Sequence, residues 1–284
     1  MSVDAIPGIP EGVGRTALGV ARLRAEETER SDRLFADPYA GAFVAAGGPA
    51  AQRLRPARGA EGLREAMFWK ALTLSVVVRT KWLDEAVDAA LAEGVRQVVL
   101  LGAGLDCRAY RLAWPPGSRV FELDQPQVLE FKRHVLADAE PACDRTAIAC
   151  DLLADWPTRL QAAGFRAHEP TLWMAEGLLV YFEQADNERL AREIHKLSAP
   201  GSRLAVTMSA AGGLHPSARD GVATSLSHMW RSGTGDPAVW LNRLGWSARS
   251  WNVWDKAADY GRGFPGGRTP PRPSWLVLAT ADAP

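Results

Sequence analysis

The chain predicts an α/β protein built on a mostly parallel sheet with helices on both faces, and three observations carry that expectation. From residue 96 onward, short apolar and β-branched runs alternate with helical ones, the rhythm of strands joined by crossover helices. Four of the five core strands end in glycines or acids instead of further apolar residues. Before residue 96 no strand-like run occurs, so the first third reads as a helical annex.

Taken in order, TALGVARLRAEETERSDRLFADPYAGAFVAAGG predicts a helix capped by Thr16, a turn at Asp37-Pro38 and a short helix ending at Gly47-Gly48. The Pro/Arg/Gly-rich link RLRPARGAEG leads to another helical stretch. Within it, KWLDEAVDAALAEG sets Leu83, Val87 and Leu91 on one face before Gly94 stops the helix. The core strands are QVVLL, RVFELD, TAIACD, TLWMAE and RLAVTMS, with helices in QPQVLEFKRHVLADA and ADNERLAREIHKLSA. In the tail, AVWLNRLGW reads as a helix, and ARSWNVW and SWLVLATA as two last strands with no long helix between them. That spacing predicts a closing antiparallel hairpin.

Composition bounds the partners. A chain of 284 residues with 47% hydrophobic content supports one large domain with additions. Lysine plus arginine equals aspartate plus glutamate at 33 each, so no net field draws nucleic acid or an anionic membrane. The N-terminus lacks a basic start followed by an apolar stretch, and no apolar run is long enough for a bilayer, so a soluble cytoplasmic protein is expected. Cys107, Cys143 and Cys150 are odd in number and form no CxxC pair, which argues against a disulfide framework and a zinc site. They read as buried small apolar residues; no metal is expected, and the oligomeric state stays open.

In an open parallel sheet, ligands bind beyond the carboxyl ends of the strands. Those ends are Gly102-Ala103-Gly104, then Glu122 and Asp124, Asp151, Glu176 and Ser209. Asp124 follows Gly102 by 124 − 102 = 22 residues, close to the spacing of about 20 at which an acid accepts ribose hydroxyls. An adenosine-containing cofactor is therefore expected. The turn is only GxG, with Cys107 where a pyrophosphate would need a third glycine, and no tyrosine is followed four residues later by lysine. S-adenosylmethionine thus fits better than a nicotinamide dinucleotide. It offers a ribose to Asp124, an adenine to the Asp151-Leu152 edge and a charged methionine end to nearby acids and an arginine. Asp151 has an alternative role as the cap of a helix in LLADW, and Glu176 as the ion-pair partner of an arginine.

The runs VRTKWLDEAV, QVVLLGAGLDCRAYRL, FELDQPQVLEFK, CDLLADWP and AEGLLVYF resemble the leucine carboxyl methyltransferase family, in particular its actinobacterial branch of S-adenosylmethionine-dependent methyltransferases. The resemblance runs from about Thr16 to the last strand. It implies a class I methyltransferase fold: a Rossmann-like, mostly parallel seven-stranded sheet with an N-terminal helical lid. It places the methionine carboxylate on Arg79, the glycine turn on Gly102 and Gly104, and the ribose on Asp124. It also places the adenine on Asp151 and Leu152, and the methionine portion against Glu176. Residues 1–78 are then the lid and 79–284 the cofactor-binding core, with a lid insertion around 210–235.

Family members methylate a protein C-terminal leucine in eukaryotes and natural-product intermediates in bacteria, so the resemblance implies the cofactor and leaves the acceptor open. The expected activity is O-methylation of a carboxyl or hydroxyl group on a small natural-product intermediate. The alternatives are C- or N-methylation of an aromatic or indolic acceptor and, from other classes, a non-catalytic cofactor-binding regulator or a dehydrogenase. His228, in SLSHMWRSG, and Tyr181 are the candidate proton acceptors, and Phe35, Tyr39 and Trp230 the candidate walls of an aromatic acceptor pocket. His134, His168, His195 and His215 read as surface groups. Methyl transfer from a sulfonium is an in-line displacement dominated by positioning, and a carboxylate acceptor needs no base.

Overall fold

The computed structural model describes residues 13–48, 63–209, 229–263 and 274–281. A seven-stranded sheet organises the chain, in the order β3-β2-β1-β4-β5-β7-β6. Its strands are β1 (Gln97–Leu101), β2 (Arg119–Asp124), β3 (Asp144–Ala149), β4 (Thr171–Ala175), β5 (Arg203–Ser209), β6 (Trp246–Asn252) and β7 (Ser274–Ala281). The first five are mutually parallel, and β7 runs antiparallel between β5 and β6. Strand order reverses at β1, which has β2 on one side and β4 on the other, so the crevice above β1 and β4 is where a ligand is accommodated.

Both faces are covered, which is why β1 and β4 are buried along their whole length. Val99 and Leu101 enter one core, whose aromatic centre is Trp156 edge-on to Trp173, with ring centroids 6.1 Å apart. Val98 and Leu100 enter the other, with Leu83, Val87 and Leu91. The two-residue period of a strand thus feeds two cores. The first is closed by α6 (Trp156–Ala162), α7 (Gln184–Lys196) and α8 (Pro237–Asn242), and the second by α3 (Leu63–Ala92) and α9 (Val253–Asp259). Helices α1 (Val13–Thr28), α2 (Ala40–Ala46) and α5 (Pro126–Val135) share a third, smaller cluster around Phe43 and Phe131.

Several expectations change in detail. Thr16 lies inside helix α1, which is described from Val13 to Thr28, and is not its cap. Helix α3 is continuous from Leu63 to Ala92, so a boundary between residues 78 and 79 falls in the middle of a helix. No helix follows Asp151 directly: its Oδ1 accepts from the Leu153 amide at 2.9 Å and closes a turn, and α6 begins only at Trp156. The antiparallel pairing of β6 and β7 is as expected, with the short helix α9 between them. His195 is not a surface group, because its ring packs edge-on against Trp246 at 5.1 Å. Among the described residues no helix is long and apolar enough to cross a membrane. His215 and His228 lie outside the described residues, as does the lid insertion before residue 229.

Candidate functional site

Strand β1 ends in a reversal that only glycine makes without strain. Gly102 has φ +62° and Gly104 φ +51°, and a Cβ on Gly102 would lie 2.7 Å from Leu178 Cδ1. Around Gly104 the nearest atom to such a Cβ is Ala17 Cβ at 3.7 Å, so its backbone stays open to an approaching ligand. The turn is pinned from the neighbouring strand. Gly104 N–H donates to Asp124 Oδ2 at 2.6 Å, and Gln125 N–H donates to Asp124 Oδ1 at 2.6 Å. Burial pushes the Asp124 carboxyl up, with these backbone donors pulling the other way.

The charge that follows the turn is explained by a buried lattice of ion pairs. Arg108, on the short helix α4 (Arg108–Arg111), donates through Nε to Asp84 at 2.7 Å and through Nη1 to Glu176 at 2.9 Å and to Asp106. Its Nη2 donates to the Thr80 carbonyl at 3.2 Å. Arg111 takes both oxygens of Asp84, at 2.6 and 2.8 Å. Glu176 gives its other oxygen to Arg79 Nε at 2.9 Å. Gly177, with φ +62°, makes room for that contact, since a Cβ there would lie 3.2 Å from Arg79 Nη2. Arg24 reaches in from α1 and donates to the Leu105 carbonyl at 2.5 Å, which ties the N-terminal helix to the glycine turn.

These contacts set the ionisation of the lattice. Burial pushes Glu176 up, but Arg108, Arg79 and Arg24 outweigh it and hold the carboxyl below its usual range. Asp106 is likewise pushed up by burial and pulled further down by Arg108, Arg24 and Lys132, to about 2. A carboxyl whose folded value is depressed stabilises the fold above its unfolded value, and that contribution fades as pH falls through the folded one. Against its ordinary 3.8, Asp106 contributes on the order of 2 kcal/mol, complete above about pH 4 and lost as pH falls through about 2. Asp106→Asn is therefore expected to flatten the acid limb of a stability-versus-pH curve, measured by denaturant titration across that window. A limb as steep as wild type would contradict the assignment.

Above the strand ends lies a cavity of about 490 Å³, inside the usual ligand-site range of about 300–1,000 Å³. Arg79, Gly102, Gly104, Asp124, Asp151, Leu152, Glu176, Tyr181 and Trp230 all line it. Leu152 is buried and Asp151 exposed at the rim. Tyr181 donates its hydroxyl to Thr16 Oγ1 at 3.2 Å, and the Trp230 ring lies 6.5 Å from that of Phe68.

Phe35 and Tyr39 do not line the cavity. Phe35 is buried beneath the Arg111 guanidinium, 5.7 Å from its ring centroid, and Tyr39 packs on Tyr110 at 5.6 Å. The Asp37 carboxylate accepts from the Tyr39 and Ala40 amides and turns the chain into α2, which sets these rings beside α4. The wall expected from them is supplied by Val20 and Leu23 of α1 and Trp69 and Leu72 of α3. Glu122, grouped with Asp124 by sequence, is also outside the cavity. Its carboxylate is fully buried with Lys132 at 2.7 Å and Arg145 at 2.6 Å.

Comparison with known proteins agrees with this architecture. A family model described as "Leucine carboxyl methyltransferase" matches residues 17–195. A Frankia alni protein named "putative S-adenosyl-L-methionine-dependent methyltransferase" is 46% identical over 256 residues, covering 89% of each chain. A Streptomyces avermitilis protein with the same description is 43% identical over 279 residues, covering 95% of this chain and 96% of its own. Among solved structures, a DUF574 family protein from Streptomyces avermitilis superposes with TM-score 0.59 at 17% identity, over 92% of this chain and 96% of its own. A Thermobifida fusca protein described as a "putative methyltransferase" gives TM-score 0.54 at 17% identity, over 99% and 97%. At that identity, the two structures speak to the fold alone.

Proposed function

Because the chain belongs to the leucine carboxyl methyltransferase family and is an S-adenosylmethionine-dependent methyltransferase, we propose that it methylates an oxygen of a small organic acceptor, a carboxylate in the first instance. The residues present fit the cofactor. Asp124 would accept from the ribose hydroxyls, Leu152 and Asp151 would flank the adenine, and Arg79 with Glu176 would meet the carboxylate and ammonium of the methionine end. The open backbone of Gly104 leaves room for close approach. When bound, the cofactor supplies an electrophilic methyl group on a sulfonium. The chain's part is to align the acceptor with it and keep water out.

One observation carries the choice of acceptor. Among the described residues that line the cavity there is no histidine and no lysine, and the Glu26, Asp106 and Glu176 carboxylates are paired with arginines. Asp124 and Asp151 accept from backbone amides. The Tyr181 hydroxyl is already hydrogen-bonded to Thr16. A phenol, amine or indole carbon must shed a proton and gains from a base, whereas a carboxylate is already a nucleophile. Val20, Leu23, Trp69, Leu72 and Trp230 line the same cavity, which supports an acid with an apolar or aromatic body. The N-terminal helices act in this reading as a lid over that acceptor.

The test is transfer of labelled methyl to a panel of organic acids, phenols, amines and indoles. Label in the acids, released as methanol by alkali, is the expected result. Turnover should be flat across the histidine range, and His228→Ala should stay within about threefold, against the ~10²–10⁴-fold that a general base supplies. A rate that rises through that range and loses the rise in His228→Ala would overturn ester formation. Label confined to carbon or nitrogen would do the same.

A further inference from the structure

The cofactor-facing charges Glu176 and Arg79 do not stand alone, and their common support is a residue of the cavity wall that is itself almost wholly buried. The Arg108 side chain is 1% exposed, against 13% for Glu176 and 14% for Arg79. It takes Oε2 of Glu176 while Arg79 takes Oε1, and it holds the carbonyl of Thr80, the residue after Arg79 in α3. Its Nε rests on Asp84, one turn further along α3, and its Nη1 on Asp106 in the glycine turn. A single guanidinium therefore registers three segments: the turn after β1, helix α3 and the end of β4. The fork geometry is what permits this, because a lysine ammonium is a point charge that cannot span acceptors set at fixed angles.

We infer that Arg108 is the positioning residue for the amino-acid end of the cofactor: it fixes Glu176 and the backbone beside Arg79, so that the ligand's ammonium and carboxylate meet groups already oriented. This rests on the reading of Glu176 and Arg79 as partners of that end. Arg108 belongs to the cavity wall, but with only 1% of its side chain exposed it acts through those two groups. Preorganisation of this kind appears as affinity, because a carboxylate left to rotate pays its ordering cost when the ligand binds. The lattice is charge-balanced, with Asp84 against Arg111, Asp106 against Arg108 and Glu176 against Arg79, so a variant that keeps the balance isolates orientation from net charge.

The experiment compares two ligands by calorimetric titration: S-adenosylhomocysteine, which carries the amino acid, and 5′-methylthioadenosine, which lacks it. The proteins are wild type, Arg108→Lys, and Arg108→Gln combined with Asp106→Asn. In both variants S-adenosylhomocysteine should weaken about tenfold or more, the scale of hydrogen bonds between charged groups. 5′-Methylthioadenosine should stay within about threefold, since its contacts lie on other strands. If the variants do not fold, Asp84→Asn removes the Nε support from outside the cavity and should produce the same split. A parallel loss of both ligands would make Arg108 a structural support only and overturn the inference, as would no loss of either. If wild type holds the two ligands equally, the reading of Glu176 and Arg79 fails and the inference falls with it.

Discussion

Glu122→Gln is expected to lower stability by about 3–5 kcal/mol, the cost of removing one member of a buried ion pair. The Glu122 and Lys132 side chains are both 0% exposed, and Lys132 and Arg145 converge on the same oxygen, Oε2. Glutamine keeps the shape and deletes the charge, so a fully buried ammonium loses its anion and has no water to turn to. Lys132→Met should cost less, because Glu122 keeps Arg145 as a partner. The measurement is chemical denaturation of the three proteins. Since Glu122 is outside the cavity, S-adenosylhomocysteine affinity of the folded protein should hold in all three. A Glu122→Gln protein as stable as wild type, or a Lys132→Met protein less stable than it, would contradict the account.

Glu122 also shows how far sequence carries. The pattern RVFELD marks a strand ending in acids, and Glu122 and Asp124, two residues apart, share a face of it. Depth along the strand separates their fates: α5 covers Glu122 with Lys132, while Asp124 clears the helix and lines the cavity. Strands and glycine turns are legible because their signals are local, such as alternation, β-branching and positive-φ glycines. Pairings across the chain are not. Arg79 and Glu176 lie 97 residues apart and Asp84 and Arg108 lie 24 apart, yet each pair is one salt bridge. Sequence marks Arg79 and Glu176 for the cofactor and leaves Glu176 open as the partner of an arginine, but which arginine is decided only by folding α3 over the end of β4. Phe35 and Tyr39 fail for a related reason. Aromatic composition marks them as burying surface, but which surface depends on the turn at Asp37. Trp69 sits in a helical run with no special punctuation, so nothing local distinguishes it from a core residue.

The largest effect on ligand binding is expected from Asp124→Ala, a loss of about 1.5–3 kcal/mol in S-adenosylhomocysteine affinity, or roughly tenfold to 150-fold. Each carboxylate oxygen offers two lone pairs. In Asp124 one of each is spent, Oδ2 on the Gly104 amide and Oδ1 on the Gln125 amide. Two acceptor sites are left, the number two ribose hydroxyls require. Alanine removes those acceptors and also frees the glycine turn from its tether, so the substitution acts twice on the same ligand. Asp124→Asn discriminates between charge and acceptor count. Its amide nitrogen would face either the Gly104 or the Gln125 N–H, donor against donor, so asparagine should rescue little. Adenine with its sugar removed should lose far less affinity than the nucleoside ligand in both variants, because it makes no ribose contact. Calorimetric titration of the two ligands against wild type, Asp124→Ala and Asp124→Asn reads all of this. Retained S-adenosylhomocysteine affinity in Asp124→Ala would remove the ribose from this carboxylate, and equal losses for adenine would reduce Asp124 to a tether for the turn.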